Sequence, residues 1–350
     1  MDIVFTLIIG LFLVLKQKTE KARLILGLAV ILLLAFFLGK RVYTARLATV
    51  KNNADWSIQS DYSPIRADSK IATLDEESTL KITDNYPVMD GATALFPVYA
   101  SFAKALYPES VLTGEEGRVN QDVLTCTTTS SAYRNIVKGE ADIVFVADAS
   151  EEQLAYAEEE GVELVFTPIG REAFVFFVND KNPISNLSVE EVRKIYSGQI
   201  RTWNMLNVKG FGNIRAFQRS PGSGSQTALE RLMGDTPIAP PAEKEDVIDA
   251  MNGITQRVSD YRNFRNAIGY SFRFYVSDMV GTSGIKLLSL EGVEPTEENI
   301  RNGTYPVTGN FYAVTRSDAD EEILEVLEWI QGPQGQELIE KTGYTPIAEQ

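Results

Sequence analysis

The sequence predicts an α/β protein, because short apolar runs alternate with amphipathic stretches along most of the chain. Three apolar runs have the length of buried strands: residues 143–146, 164–166 and 173–178. Four stretches around them have the apolar spacing of helices: residues 96–107, 132–138, 151–160 and 189–196. Such alternation is typical of α/β layers with at least partly parallel sheets, whose ligand crevice lies at the carboxyl ends of the strands.

Local signals support individual helices. Ser188 precedes the helix at 189–196, and Glu191 follows three residues later, which is the spacing of a capping box. Two more helices are predicted late in the chain, at about 320–332 and 334–341.

The composition excludes several classes of function. The 350 residues include 33 Lys and Arg, 48 Asp and Glu and no His, so the formal net charge is −15. No basic stripe suggests nucleic-acid binding, and the lack of His removes His-dependent catalysis and His-based metal sites. The single cysteine, Cys126, cannot form an internal disulfide and is predicted to be a small core residue. We therefore predict no catalytic residues, no metal and no cofactor, and expect that the chain is not an enzyme.

Residues 1–46 have the composition of a membrane anchor. Residues 3–15 are apolar except Thr6, residues 24–38 are apolar throughout, and a basic segment at 16–23 separates them. Each run is short against the roughly 20 residues that usually span a bilayer. Either a hairpin of two transmembrane helices or a single span at 24–38 is possible, and both place residues 50–350 outside the cytoplasm, at the cell membrane. Residues 47–85 are polar and aperiodic, which predicts a stalk or extended arm.

The segment from Arg219 to Thr227 has the chemistry of a site for a small oxyanion. It contains an arginine, Gly222 and Gly224, and several hydroxyl groups, and it leads directly into a helical pattern. The N–H groups of a first helical turn and the positive end of the helix dipole attract anions. Glycine lets the backbone come close, and a guanidinium adds a forked positive charge.

Three other loops at predicted strand-to-helix junctions carry similar groups. Residues 90–97 contain a Gly-Ala-Thr turn, residues 127–131 are five consecutive hydroxyl residues, and Asp148 follows a buried strand. Each of them alone is compatible with an ordinary helix cap or turn. Together with the Arg219 segment they favour a shared anion pocket.

From about Asp90 to Tyr344 the chain resembles the substrate-binding proteins of phosphate ABC importers, which have a type II periplasmic-binding-protein fold. The resemblance rests on the order of several motifs. They are Gly-Ala-Thr at 91–93, the hydroxyl cluster, Gly-Glu-Ala-Asp-Ile at 139–143, Ile-Tyr-Ser-Gly at 195–198 followed by Trp203, and Arg219 followed by Ser-Gly-Ser at 223–225. The hydroxyl cluster at 127–131, which we call the second loop, departs from the family pattern, because Ser131 and Ala132 stand where glycines are common.

The resemblance implies which residues bind the ligand. Thr93 would supply a hydroxyl group, Ala94 a backbone N–H, and either Thr129 or Ser130 the second-loop hydroxyl. Asp148 would accept the P–OH proton of the ligand and so favour hydrogen phosphate over sulfate by repelling a fully deprotonated anion. The remaining implied ligand residues are Arg219, Ser223, Gly224 and Ser225.

The resemblance also implies two lobes that close on the ligand about a hinge. We place lobe 1 at residues 86–173 plus 312–350 and lobe 2 at residues 174–311. Strands at 174–178 and 306–314 would cross between them.

The function expected from this resemblance is a membrane-tethered receptor outside the cytoplasm that captures phosphate and delivers it to an ABC permease. Two alternatives remain open: an anion sensor or adaptor without a role in transport, and a binder of another small anionic solute. No nucleic-acid partner is expected.

Overall fold

One long strand runs through both halves of the main sheet and sets the architecture of the chain. The computed structural model describes residues 20–48, 54–241, 247–248, 265–282 and 284–347. Contacts divide the chain into two units, Met1–Asn52 and Asn53–Gln350. The strands are β1 (Met89–Gly91), β2 (Ile143–Val146), β3 (Leu164–Asn179), β4 (Asn186–Leu187), β5 (Arg215–Ala216), β6 (Gln218–Arg219), β7 (Val247–Ile248), β8 (Ala267–Phe272), β9 (Ile285–Leu287), β10 (Ser289–Leu290), β11 (Thr308–Arg316) and β12 (Thr345–Pro346).

The described helices alternate with these strands along the chain or precede them. They are α1 (Glu20–Ala48), α2 (Ala54–Asp61), α3 (Phe96–Leu106), α4 (Glu109–Leu112), α5 (Thr129–Lys138), α6 (Glu151–Glu159), α7 (Val189–Tyr196), α8 (Gly224–Met233), α9 (Glu297–Arg301), α10 (Glu321–Gln331) and α11 (Pro333–Thr342). A π-helical segment, Tyr275–Val280, follows β8. The alternation of helices and strands confirms the predicted α/β class.

The main sheet consists of two halves that share β3. In the first half, β1 lies parallel to β2, and β11 lies antiparallel between β2 and the first part of β3, up to Ala173. From Phe174 onward β3 pairs instead with β8 and β9, and β5 lies parallel to β8. The change of partners therefore falls at the start of the strand that the sequence predicts at 174–178.

The chain returns to the first half-sheet earlier than the predicted boundary. Strand β11 begins at Thr308 and pairs with β3 along its whole length, so residues 308–311, which we assigned to lobe 2, lie in the first half-sheet. The register shifts between Phe311 and Tyr312. The apolar run begins at this bulge, and the more polar start of the strand gives no clear period.

Each half has its own apolar packing. In the first, α5 and α6 cover β2 through a buried cluster that includes Tyr133, Ile136 and Val144. In the second, the rings of Phe176, Tyr196 and Tyr270 lie 5.5–6.2 Å apart in tilted and edge-on pairs.

The predicted capping box before α7 is confirmed. The Ser188 hydroxyl oxygen accepts a hydrogen bond from the N–H of Glu191 (3.0 Å), and the Glu191 carboxylate accepts one from the N–H of Ser188 (2.8 Å).

The described part of the predicted stalk, residues 54–85, packs on the rest of the second unit. Ile58, Tyr62 and Ile82 are buried. Lys104 Nζ donates to the carbonyl of Pro64 (2.8 Å), and Gln334 hydrogen-bonds to the backbone of Thr79 and Glu77. From α2 onward this segment is therefore held to the second unit by buried side chains and hydrogen bonds.

Of the first unit, the structure describes only helix α1. Its large apolar side chains between Leu28 and Val42 are exposed, with Phe36 67% exposed. Over the residues that the structure describes, we find no helix with both the length and the apolar character needed to cross a membrane. The first predicted apolar run, residues 3–15, lies outside the described residues.

Candidate functional site

A cavity of about 230 Å³ lies where the two half-sheets meet. Eight of the nine ligand residues implied by the resemblance line it: Thr93, Ala94, Thr129, Ser130, Arg219, Ser223, Gly224 and Ser225. They come from loops that are distant in sequence, and the fold brings these loops together around one cavity.

The first of these loops is a 3₁₀ turn, Thr93–Leu95, that leads into α3. Gly91 is required just before it, because a Cβ atom there would lie 2.4 Å from the carbonyl oxygen of Phe145. The Leu95 N–H donates to the Ala92 carbonyl (2.9 Å), and no side chain caps the turn. The preceding N–H groups of Thr93 and Ala94 therefore stand at an uncapped helix start that borders the cavity.

The second loop also ends in an uncapped helix start. Helix α5 begins at Thr129, and its N-cap residue Thr128 has φ 97°, a strained conformation for a β-branched residue. The Ser130 hydroxyl donates to the carbonyl of Gly222 (2.8 Å), which connects this loop to the fourth loop, residues 219–227. That bond uses the only hydrogen of the Ser130 hydroxyl, so of the two predicted candidates, Thr129 and Ser130, the Thr129 hydroxyl is the one that can donate to a ligand.

Asp90 holds the second loop in position through hydrogen bonds to its carboxylate. Its buried carboxylate accepts hydrogen bonds from the N–H of Thr127 (2.9 Å), the Thr127 hydroxyl (2.5 Å), Asn135 Nδ2 (2.8 Å) and the N–H of Gly91 (2.7 Å). The sequence marked Asp90 only as the first residue of a loop. Its role depends on the pairing of β1 with β2, which no local pattern shows.

The fourth loop carries the positive charge. Arg219 is 7% exposed at the end of β6, and its N–H donates to the Tyr270 hydroxyl (2.9 Å) and to Gln226 Oε1 (3.1 Å). The Tyr270 hydroxyl in turn donates to Gln226 Oε1 (2.5 Å). Arg219 is the one cationic side chain among the described residues that line the cavity.

Helix α8 starts at this loop. The Ser223 hydroxyl oxygen accepts from the N–H of Gln226, which leaves the N–H groups of Gly224 and Ser225 in the first turn without an intrahelical partner. A Cβ atom at Gly224 would lie 3.3 Å from Thr129 Oγ1, so glycine allows the second and fourth loops to approach closely.

Together, the three helix starts and one buried guanidinium form an arrangement suited to an anion. Uncapped N–H groups and helix dipoles stabilise negative charge, and the guanidinium adds a charge-assisted contact. The described residues contain no group of three or more Cys, His, Asp and Glu that could hold a metal ion.

Asp148 is the implied ligand residue that the structure does not bring to the cavity. Ala147 lines the cavity in its place, while the Asp148 carboxylate forms an ion pair with Arg231 on α8. The Tyr133 hydroxyl donates to the Ala147 carbonyl (2.7 Å) and fixes the chain at this point. The sequence shows the carboxylate after β2, but it does not show that an arginine two turns along α8 engages it.

The carboxylate that does line the cavity is Glu172, a residue that the sequence reasoning missed. It is 7% exposed, and it lies on β3 one residue before Ala173, after which the strand changes partners. Burial raises the pKa of Glu172 to about 8, although hydrogen bonds from the N–H groups of Ala173 and Phe274 and the nearby Arg273 lower the pKa. An acidic residue at the head of the apolar run 173–178 was the available signal.

Aromatic rings form the other wall. Phe272, Phe311 and Tyr344 line the cavity, and the Tyr344 hydroxyl hydrogen-bonds to the Ala94 carbonyl. A Cβ atom at Gly170 would lie 2.3 Å from the Phe311 ring, so glycine is needed to seat that ring.

Comparison with known proteins agrees with this architecture. A family model described as the PBP superfamily domain matches residues 82–334. Two relatives, both named phosphate-binding protein PstS, come from Bacillus subtilis (26% identity over 196 residues) and Pseudomonas aeruginosa (25% over 212 residues). Each match takes in 55% of this chain and 62% or 63% of the relative, so the chain spans less than two thirds of their length.

Solved structures support the fold. A structure with bound phosphate from Clostridium perfringens superposes with a TM-score of 0.56 at 22% identity, over 75% of this chain and 100% of the other. An ABC-type phosphate transport receptor from Vibrio cholerae gives 0.55 at 22% identity, over 74% and 99%.

Proposed function

The chain belongs to the PBP superfamily, and on that premise we propose that it is a receptor that binds inorganic phosphate in the cavity and delivers it to an ABC permease. The relatives named as phosphate-binding proteins and the phosphate-bound structural neighbour support the choice of ligand. The observation that carries the proposal is the convergence of three helix starts on one cavity with Arg219.

The described lining of the cavity offers neutral hydrogen-bond donors and one cation for a bound phosphate. A dehydrated oxyanion needs many neutral donors and at least one cation to offset its lost solvation. The N–H groups of the 3₁₀ turn before α3 and of the first turns of α5 and α8 supply the neutral donors, and the hydroxyl groups of Thr93, Thr129 and Ser225 add to them. Arg219 supplies the cation. In this family the protein binds and releases a solute, and we propose no catalytic step.

The cavity also favours a second candidate, a small organic phosphate. Its volume of about 230 Å³ corresponds to roughly eight water molecules at about 30 Å³ each, which is more than one phosphate ion fills. Leu95, Phe272 and Phe311 provide apolar surface beside the donors. An organic phosphate could place its phosphoryl group on the helix starts and its carbon atoms against the rings.

We expect residues 54–350 to bind phosphate in a one-to-one complex with a dissociation constant in the micromolar range or below, about −8 kcal/mol. Isothermal titration after removal of bound anion by partial unfolding and refolding would measure it. Nitrate is the control, because it has fewer acceptor oxygens and a single charge. Absence of heat with phosphate, combined with saturable binding of an organic phosphate, would favour the second candidate.

We further propose that the N-terminal segment attaches the receptor to the cell membrane with the binding domain outside the cytoplasm. The support is the exposed apolar surface of α1 between Leu28 and Val42, because contiguous apolar surface of this kind marks a membrane or protein contact. Attachment would raise the local concentration of the receptor at a permease. A tethered sensor that does not transport its ligand would share these features.

The full-length chain should therefore sediment with membranes, and detergent rather than high salt should release it. Salt weakens charge-mediated attachment but not burial of apolar surface. Residues 54–350, which carry the binding domain without α1, are the matched control and should stay in the supernatant. Recovery of both proteins in the supernatant would contradict the anchor.

A further inference from the structure

The cavity contains one carboxylate as well as one guanidinium. Among the described residues that line it, Glu172 is the acidic one, and it is buried at the junction of the two half-sheets. A buried carboxylate in an anion site works against binding unless it interacts with the ligand through a proton.

Backbone donors fix the Glu172 carboxylate in place. Its Oε1 accepts from the N–H of Ala173 (2.8 Å) and its Oε2 from the N–H of Phe274 (3.2 Å). Each carboxylate oxygen has about two lone-pair sites, so each keeps capacity for a further hydrogen bond. Because the two donors come from β3 and from the segment after β8, the group cannot easily turn away from the cavity.

We propose that Glu172 determines which protonation state of the ligand the cavity accepts, and therefore how strongly the site prefers phosphate to sulfate at a given pH. This inference rests on the proposed function. When ionised, Glu172 can only accept a hydrogen bond, and when protonated it can donate one. Hydrogen phosphate carries both acceptor oxygens and a P–OH donor and can pair with either form. Sulfate has acceptors only and can pair only with the protonated form.

Burial places this change in an accessible range of pH, and the surrounding charges modify it. Arg273, after β8, and Asp278, in the π-helical segment, act on Glu172 in opposite directions, and both are smaller influences than burial. The buried Tyr344 hydroxyl lies nearby, and Arg219 lines the same cavity. With a pKa raised to about 8, Glu172 is mainly protonated at pH 7 and mainly ionised at pH 9.

The sign of the effect follows from this titration. Above the pKa, binding of sulfate requires uptake of one proton by Glu172, so sulfate affinity should fall about tenfold per pH unit, by proton linkage. Binding of phosphate requires no such uptake, because the ligand brings its own proton. The preference for phosphate should therefore increase as the pH rises from 7 to 9.

Titrations of residues 54–350 with phosphate and with sulfate at pH 6, 7, 8 and 9 would test this. In the wild type we expect the ratio of the two affinities to be nearly constant at low pH and to rise steeply above pH 8. In Glu172→Gln, whose amide can donate at every pH, we expect sulfate affinity to be independent of pH. The titration of phosphate itself affects both proteins alike. Asp148→Asn is the matched control and should follow the wild type.

A second measurement needs no variant. Titrations in buffers with different ionisation enthalpies count the protons taken up, and at pH 9 the wild type should take up about one proton more with sulfate than with phosphate. Equal proton uptake, or a Glu172→Gln profile identical to that of the wild type, would overturn the role of Glu172 while phosphate binding persists. Failure of the wild type to bind phosphate at any pH would instead overturn the proposed function.

Discussion

Arg219→Ala should weaken phosphate binding by about ten- to a hundredfold. A hydrogen bond to a charged group contributes about 1.5–3 kcal/mol, and a factor of ten corresponds to about 1.4 kcal/mol. Arg219 is buried, so little solvent screens its charge in the cavity. Because its backbone N–H is held by Tyr270 and Gln226, the side chain starts from a fixed position. Isothermal titration of the variant against phosphate would measure the loss.

Two comparisons make this result specific. Arg219→Lys keeps the charge but loses the planar fork, so it should recover part of the affinity and not all of it. Arg231→Ala removes an arginine of the following helix, α8, that is half exposed and pairs with Asp148 outside the cavity lining. That variant should bind phosphate within about twofold of the wild type, since exposed ion pairs contribute about 0–1 kcal/mol. An unchanged dissociation constant in Arg219→Ala would remove the central assignment.

The loops of the site could be predicted because their signals are local. Hydroxyl groups and glycines before a helical period mark a helix start, and helix starts after buried strands meet at one edge of an α/β sheet. The motif from Arg219 to Ser225 is one such case, and the structure places it beside Thr93 and Thr129. The choice between Thr129 and Ser130 needed the three-dimensional contact of Ser130 with Gly222.

The acidic residue of the cavity could not be predicted because its position depends on partners distant in sequence. Asp148 follows a strand and has the expected chemistry, yet an ion pair with Arg231 holds it. Glu172 lies inside a strand, where alternation gives no hint that one side chain faces a cavity. It does so because β3 exchanges β11 for β8 immediately after it. Partner exchange is a property of the sheet, and the sequence of the strand alone does not encode it.

The boundary between the halves shows the same limit. The sequence predicts the second crossing strand at 306–314 and sets the lobe boundary inside it, after residue 311, whereas β11 pairs with the first half-sheet from Thr308 onward. Residues 308–310 pair with β3 at the point where Phe174 donates to the carbonyl of Val307 (3.0 Å). Asn310 and Phe311 also line the cavity. The segment around the predicted lobe boundary is therefore part of the junction where the ligand is expected to bind.

Asp90 is the residue whose loss should affect both the fold and the site. Asp90→Ala would leave the N–H and hydroxyl groups of Thr127 and the amide of Asn135, which are half-buried, without their shared buried acceptor. An unsatisfied buried donor destabilises by about 1–3 kcal/mol and water can reach these donors in part, so we expect the free energy of unfolding to fall by about 2 kcal/mol. Thermal and urea unfolding of residues 54–350 would measure this change.

The same substitution should weaken phosphate binding even at temperatures where the variant is folded. The second loop reaches the cavity through Thr129, and its position depends on Thr127, which Asp90 holds. Asp90→Asn provides the graded comparison, because its amide oxygen can still accept from one donor while its NH₂ group opposes the others. Asp122→Asn, an exposed position outside the cavity lining, is the matched control and should change neither quantity. If Asp90→Ala unfolds at a lower temperature but binds phosphate as tightly as the wild type, the carboxylate supports the fold alone, and the second loop must reach its binding geometry without it.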